Sequence, residues 1–225
     1  MSHISLETLS FIKEIVSLML AYLIIAGLSG AFQAWMAYKA GDDTAAQFGM
    51  MTINPFVHVD PVSLWLMPLG YVFLHVIVGM SRPIPIIWHN ITAPFRRLKI
   101  CLVALAEPIA ILGIITSMII LHVLTFTTLS LTHAMAYLAN EMTVYNYING
   151  AIIGFSTWFL PYRLFASVAQ LYVHNQEKKA AEVNYTIVLV FLPLIGAVIC
   201  RDISFKLLVH FEYAVETALL WILNI

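Results

Sequence analysis

Long apolar runs, separated by short polar or proline-bearing stretches, dominate the pattern of this chain. A helix needs about 20 mostly apolar residues to cross the hydrocarbon core of a bilayer. The run from Ile15 to Tyr38 meets that length, and a polar, glycine-containing stretch from Lys39 to Pro61 follows it. Val62 to Met80 predicts a second span, Ile100 to about Thr125 a third and Val144 to Val173 a fourth, the last interrupted by LPYR near Pro161. Tyr185 to Cys200 is a short fifth. Leu207 to Ile225 is either a sixth span or an interfacial helix, because Glu212 and Glu216 share one face at i,i+4. Between the second and third runs, Pro83, Pro85 and Pro94 prevent a continuous helix, and Trp88 with its basic neighbours suits the membrane interface. Asn54-Pro55 and Asp60-Pro61 are turn formers, and Thr52 and Ile53 between turns favour a short strand. The expected architecture is an all-α integral membrane protein of about six transmembrane helices. It forms one membrane domain over 1–225, with a re-entrant strand or loop segment at 39–61 and a proline-rich interfacial loop at 81–99.

Composition agrees with the pattern. Of 225 residues, 61% are hydrophobic and 10% charged, against about 25% charged in an ordinary soluble domain. The net charge of −1 carries no basic block, so nucleic acid is not an expected partner, whereas membrane lipid is. Cys101 and Cys200 sit in apolar runs outside any CxxC pair and read as small core residues. The first residues lack the basic start of a cleaved signal peptide, so the first apolar run is expected to remain as an anchor. Asn90-Ile-Thr and Asn184-Tyr-Thr fit the glycosylation pattern, which recurs by chance. With every run counted as a crossing, an inside N-terminus puts Lys13, Arg82, Arg96, Arg97, Lys99, Lys178 and Lys179 inside and Lys39, Arg201 and Lys206 outside. The positive-inside bias then favours a cytoplasmic N-terminus in the cell (inner) membrane.

Three stretches carry a resemblance. GDDTAAQFGMMTINPFVHVDP, from Gly41 through Asp42, Asn54, Pro55, His58 and Asp60 to Pro61, is similar to the GD-x-TA-x-x-x-G and LTLNP-x-x-H-x-DP segment of compact site-2 proteases. GMSRPIPI, with Pro83 and Pro85, is similar to that family's GWAKPVPV loop, and FRRLKICLVALAEP to its basic stretch followed by VALAGP. The chain therefore resembles the site-2 protease family of intramembrane zinc metalloproteases over most of its first 110 residues.

The resemblance implies a zinc site that these residues do not supply. A zinc peptidase needs three protein ligands and an open position for water. In the family, HExxH lies twelve residues before the GD, which here falls on Ser29-Gly30-Ala31-Phe32-Gln33. Ser29 and Gln33 stand at the two histidine positions and Gly30 at the glutamate. The family's aspartate ligand falls on or beside Leu164, next to Arg163, and its GPxxN becomes Glu107-Pro108-Ile109-Ala110-Ile111. The reading is a pseudoprotease without zinc, a degenerate member of the family. His58, His75, Glu107, His122 and His133 are the candidates for a relocated metal site, and no pair of them has HxxxH spacing. His58 reads more readily as the maker of a turn-locking hydrogen bond. Glu107 and Arg163 are buried charges that could pair where the zinc was, or each find separate partners.

The functional expectation is a protein that binds or scaffolds other transmembrane segments, alone or in a larger membrane complex. The small residues at 29 to 31 would admit a close helix. Two alternatives stand beside it. One is an active metalloprotease with a rearranged site; Ser29 as a nucleophile has no adjacent base. The other is a small transporter or channel, for which no inverted repeat is visible.

Overall fold

The computed structural model describes residues 6–74, 79, 81–131 and 135–176, with scattered positions between 206 and 221. The described residues are helical: α1 (Leu6–Ala40), α2 (Thr44–Gln47), α3 (Pro55–His58), α4 (Pro61–Leu74), α5 (Arg96–Ala104), α6 (Ala106–Leu131) and α7 (Met135–Gln176), with one 3-10 turn at Trp88–Asn90.

Among the described residues, two helical stretches are long and apolar enough to cross a membrane, Thr8–Ala40 and Ile148–Tyr172. A third crossing results if Arg96–Ala104 and Ala106–His122, bent by 53° at their junction, form one span. That is two or three crossings where the apolar runs predict about six. The second run is described as far as the 14-residue α4, with Pro68 inside it, and most of its remainder lies outside the described residues. The fifth run lies outside the described residues, as does most of the sixth. The expected interruption at Pro161 is absent: α7 passes through it as one 42-residue helix. Buried packing around Pro161 holds the helix despite the missing N–H.

Local chemistry explains where α1 stops and the next segment turns. Gly41, at φ +111°, takes a conformation that side chains disfavour. Its N–H bonds Tyr38 O and the Asp42 N–H bonds Ala37 O, the paired arrangement that satisfies the last carbonyls of a helix. The buried Asp42 carboxylate then accepts from Thr44 N, Thr44 Oγ1, Ile87 N (2.8 Å) and Asn90 Nδ2 (3.0 Å). One acid thus ties the end of α1 to the proline-rich loop, and the Asn90 amide has a structural partner. Asn54 and Asp60 each start a helix. Asn54 Oδ1 accepts from Phe56 N with Pro55 in the first turn, and Asp60 Oδ2 accepts from Ser63 N ahead of α4.

No strand forms at Thr52 and Ile53, contrary to expectation. Between the Thr52 Oγ1 bond to Asn54 N and the Asn54 cap, the backbone is committed to turns. Among the described residues, extended pairing is limited to a single bridge between Val59 and Ser81.

The path of the chain follows from its contacts. The 41–60 segment leaves the C-terminal end of α1 and reaches its middle, where His58 lies against Gly30. From there α4 runs to the N-terminal end of α1, where Tyr71 lies beside Glu14. The loop at 82–92 returns to the starting end, where Thr92 N bonds Ala40 O. The described residues 41–74 and 81–92 therefore begin and end at the same end of α1. The core of Tyr22, Ile25, Met67, Ile111, Ile115, Ile152, Phe155 and Phe159 joins α1, α4, α6 and α7 in the middle. A second cluster, Ala37, Ala40, Ile91, Ile100 and Val103 with Leu171, closes the C-terminal end of α1.

 In that second cluster the small residues of α1 are Ala37 and Ala40, and Ile91, Ile100 and Val103 pack against them.

Two expectations change with this path. Lys39 and the basic run Arg96, Arg97 and Lys99 occupy the same end of the bundle, whereas counting apolar runs separates them. The count that separated them treated Val62 to Met80 as a crossing. Cys101, expected in the core, is exposed on the outer face of α5, where lipid would meet it. Cys200 lies outside the described residues.

Candidate functional site

The positions that the resemblance assigns to zinc chemistry lie on the inner face of α1, opposite the bend between α5 and α6. That bend has a local cause. Pro108 has no N–H for the carbonyl four residues earlier, Ala104 O, and its ring crowds that carbonyl. The freed Ala104 O accepts instead from the Ser167 hydroxyl of α7 at 2.6 Å, a proton shared with Arg163 O at 2.8 Å. The neighbouring Val103 O accepts from Gln33 Nε2 at 3.2 Å. Gln33, at the second histidine position, is therefore committed to closing the broken helix.

Gly30 and Ser29 are fully enclosed. Ser29 is 0% exposed, and its hydroxyl has no hydrogen-bond partner among the described residues. A Cβ placed on Gly30 would lie 2.4 Å from His58 Nδ1. One turn earlier, a Cβ on Gly27 would lie 3.1 Å from Pro55 Cα. The two glycines form the seat on which α3 rests. The small residues expected to admit another protein's helix are thus partly covered by this chain's own short helix.

His58 is 0% exposed. Its Nε2 donates to Thr52 O at 2.8 Å, so Nδ1 carries the lone pair. Burial pushes the imidazole below its ordinary pKa, with the bond to Thr52 opposing, and the neutral ring is the form that packs here.

Glu107 lies in the first turn of α6 and Arg163 midway along α7. Their side chains meet at 2.7 Å, Arg163 Nη1 to Glu107 Oε2, each about 5% exposed or less. The guanidinium also lies over the rings of Phe159 and Tyr162, at 5.0 and 5.6 Å. Glu107 Oε1 and the Nε and Nη2 of Arg163 have no partner among the described residues. Leu164, the next residue round α7, is 41% exposed, whereas Arg163 is buried and is the residue that faces the bundle at this height.

The zinc ion implied by the resemblance does not fit these residues. A hydroxyl, a glycine and an engaged amide stand on α1, and the inward group on α7 is a cation. Among the described residues, no three of His, Cys, Asp and Glu converge as a metal site requires. His122 is on α6, well away in sequence and half-buried, and His75 and His133 lie outside the described residues. Pro83 is exposed and Pro85 half-buried in the loop that precedes the 3-10 turn.

Sequence reasoning missed the roles of Ser167, Gly27 and Gln33. The signal for Ser167 was present: a hydroxyl deep in an apolar helix, with Pro108 freeing a carbonyl on another.

Comparison with known proteins adds a partial relationship. No family model matches the chain, and no solved structure matches it. The chain is 36% identical over 102 residues to the Bacillus subtilis (strain 168) protein described as "Putative zinc metalloprotease YwhC". The match covers 45% of this chain and 39% of that relative, so the chain spans about two fifths of the relative's length. What this identity supports is a metalloprotease-like relationship for a membrane protein of helical architecture.

Proposed function

We propose that this protein is a catalytically inactive, site-2-protease-like membrane protein that holds other transmembrane segments without cutting them. The observation that carries the reading is the commitment of the α1 face: Gln33 caps Val103 O, and His58 covers Gly30. A hydrolytic water needs a metal or a base, and neither position retains one.

An apolar groove of about 360 Å³ runs beside this face, lined by Leu28, Ala31, Phe32, Trp35, Met51 and Ile53. It would accept an apolar segment of another membrane protein, in the cell membrane or within a larger membrane complex. The identity to YwhC favours a second reading, an active metalloprotease with a rearranged site.

Metal analysis of the detergent-purified protein separates the two. The inactive reading expects no bound zinc and one membrane protein co-purifying in constant ratio. About one zinc per chain, with cleavage of a membrane substrate, would establish the enzyme and overturn the proposal.

A further inference from the structure

We propose that the start of α5 binds the headgroup of an acidic phospholipid: Arg97 meets the phosphate, Lys39 and Lys99 add to the positive field, and Phe95 and Leu98 enter the acyl layer beside it.

Charge carries the first half of the argument. Lys39, Arg96, Arg97 and Lys99 gather at one end of the bundle, beside the acids Asp42 and Asp43. Asp42 is buried and spent on its four donors, and Asp43 accepts from Gln47 Nε2 at 2.9 Å. Arg96 donates to Ile91 O at 3.1 Å and to Trp88 O at 3.0 Å, and Lys99 donates to Thr92 O at 3.0 Å. Those bonds pin the two cations in place, yet a neutral carbonyl does not cancel their charge. Lys39 lies over the Trp35 ring at 5.8 Å. Arg97 is exposed and has no hydrogen bond or ion pair among the described residues. The helix itself adds the same sign. The nine-residue α5 opens on Arg96 and Arg97, with no acid in its first turn and no side-chain cap from Phe95. A helix N-terminus is its positive end, where cations are disfavoured and an anion relieves the repulsion.

The apolar neighbours choose among anions. Phe95 is 76% exposed and Leu98 58%, so large apolar side chains flank Arg97 on both sides in sequence. Phe95 also holds φ +61°, an uncommon conformation for a bulky residue. Trp35 and Tyr38 are exposed near the same end of α1, where interfacial aromatics belong. A soluble anion or an acidic peptide would match the charges and leave Phe95 and Leu98 in water. A phospholipid matches both, with its phosphate at the cations and its chains at the apolar groups.

Quenching of tryptophan fluorescence tests this, with the full chain in phosphatidylcholine bilayers that contain a minority of brominated lipid. Trp35 and Trp88 report from this end of the bundle. Brominated phosphatidylglycerol should quench more than brominated phosphatidylcholine at equal mole fraction, and high salt should narrow the difference. Arg97→Gln should reduce the preference by about fivefold, the worth of one basic residue at an anionic surface. Adding Lys39→Gln should abolish it. Both side chains are exposed, so both variants should fold, which circular dichroism checks. Lys13→Gln, at the other end of α1, should leave the preference unchanged. Equal quenching by the two lipids in the wild-type protein, or an undiminished preference in Arg97→Gln, would overturn the site. An equal loss from Lys13→Gln would do the same, by showing a general effect of charge. So would loss of the preference on adding inorganic phosphate at constant ionic strength, since the ligand would then be a soluble anion. Lipid preference is independent of zinc content, so this test and the metal analysis fail separately.

Discussion

Arg163 and Glu107 are two charges in a segment that has little water to offer, and their contact decides how each is tolerated. The pair is short at 2.7 Å, and two aromatic rings flank the cation. Removing one member leaves the other buried alone, which costs about 3–5 kcal/mol in comparable buried pairs, whereas removing both is often close to neutral. Arg163→Met should therefore destabilise the protein strongly, and Arg163→Met combined with Glu107→Leu should recover most of the loss. Unfolding of the four proteins in detergent measures this; additive effects would show that the two side chains do not depend on each other. The existence of both charges was legible in the sequence. Which atoms meet was not, because residues 56 positions apart share a site only once α6 and α7 pack.

At the scale of elements, the bend between α5 and α6 is the feature on which the site depends. Pro108 frees Ala104 O, and side chains from two other helices satisfy the carbonyls at the break. A buried carbonyl that loses its donor costs about 1–3 kcal/mol. Ser167→Ala and Gln33→Leu should each lower stability by an amount of that order, although both make the helix they sit on more apolar. Thermal unfolding checks the direction: a gain in stability would mean that the carbonyls find other partners. The proline was an obvious breaker in the sequence. The donors that answer it lie 70 residues before and 63 after the carbonyls they reach, beyond any local pattern.

For the molecule as a whole, the packing of the 82–92 loop on the end of α1 decides which charges share a side. Lys13 and Lys39 are separated by 26 residues of α1, about 39 Å of helix, enough to span a bilayer. Lys39 shares its end with Arg96, Arg97 and Lys99, and the positive-inside bias therefore favours that end as cytoplasmic. Counting apolar runs instead predicts a cytoplasmic N-terminus, so the two arguments give opposite expectations. Two single-cysteine variants test it in a Cys101→Ser, Cys200→Ser background. With a membrane-impermeant thiol reagent on intact cells, Leu9→Cys should label and Arg97→Cys should label only after permeabilisation. The opposite pattern would restore the original orientation.

The sequence alone determined the class of this protein and much of its local structure. Apolar runs dictate helices in lipid because every backbone group must be bonded within its own segment. Gly41, Asn54-Pro55 and Asp60-Pro61 dictate where helices stop and start, because their backbone preferences are intrinsic. Tertiary structure alone decided that the loop at 82–92 packs on the end of α1, that α7 continues through Pro161, and that His58 lies on Gly30. Each of these depends on contacts between segments distant in sequence, where packing and long-range hydrogen bonds outweigh the local preference of any single residue.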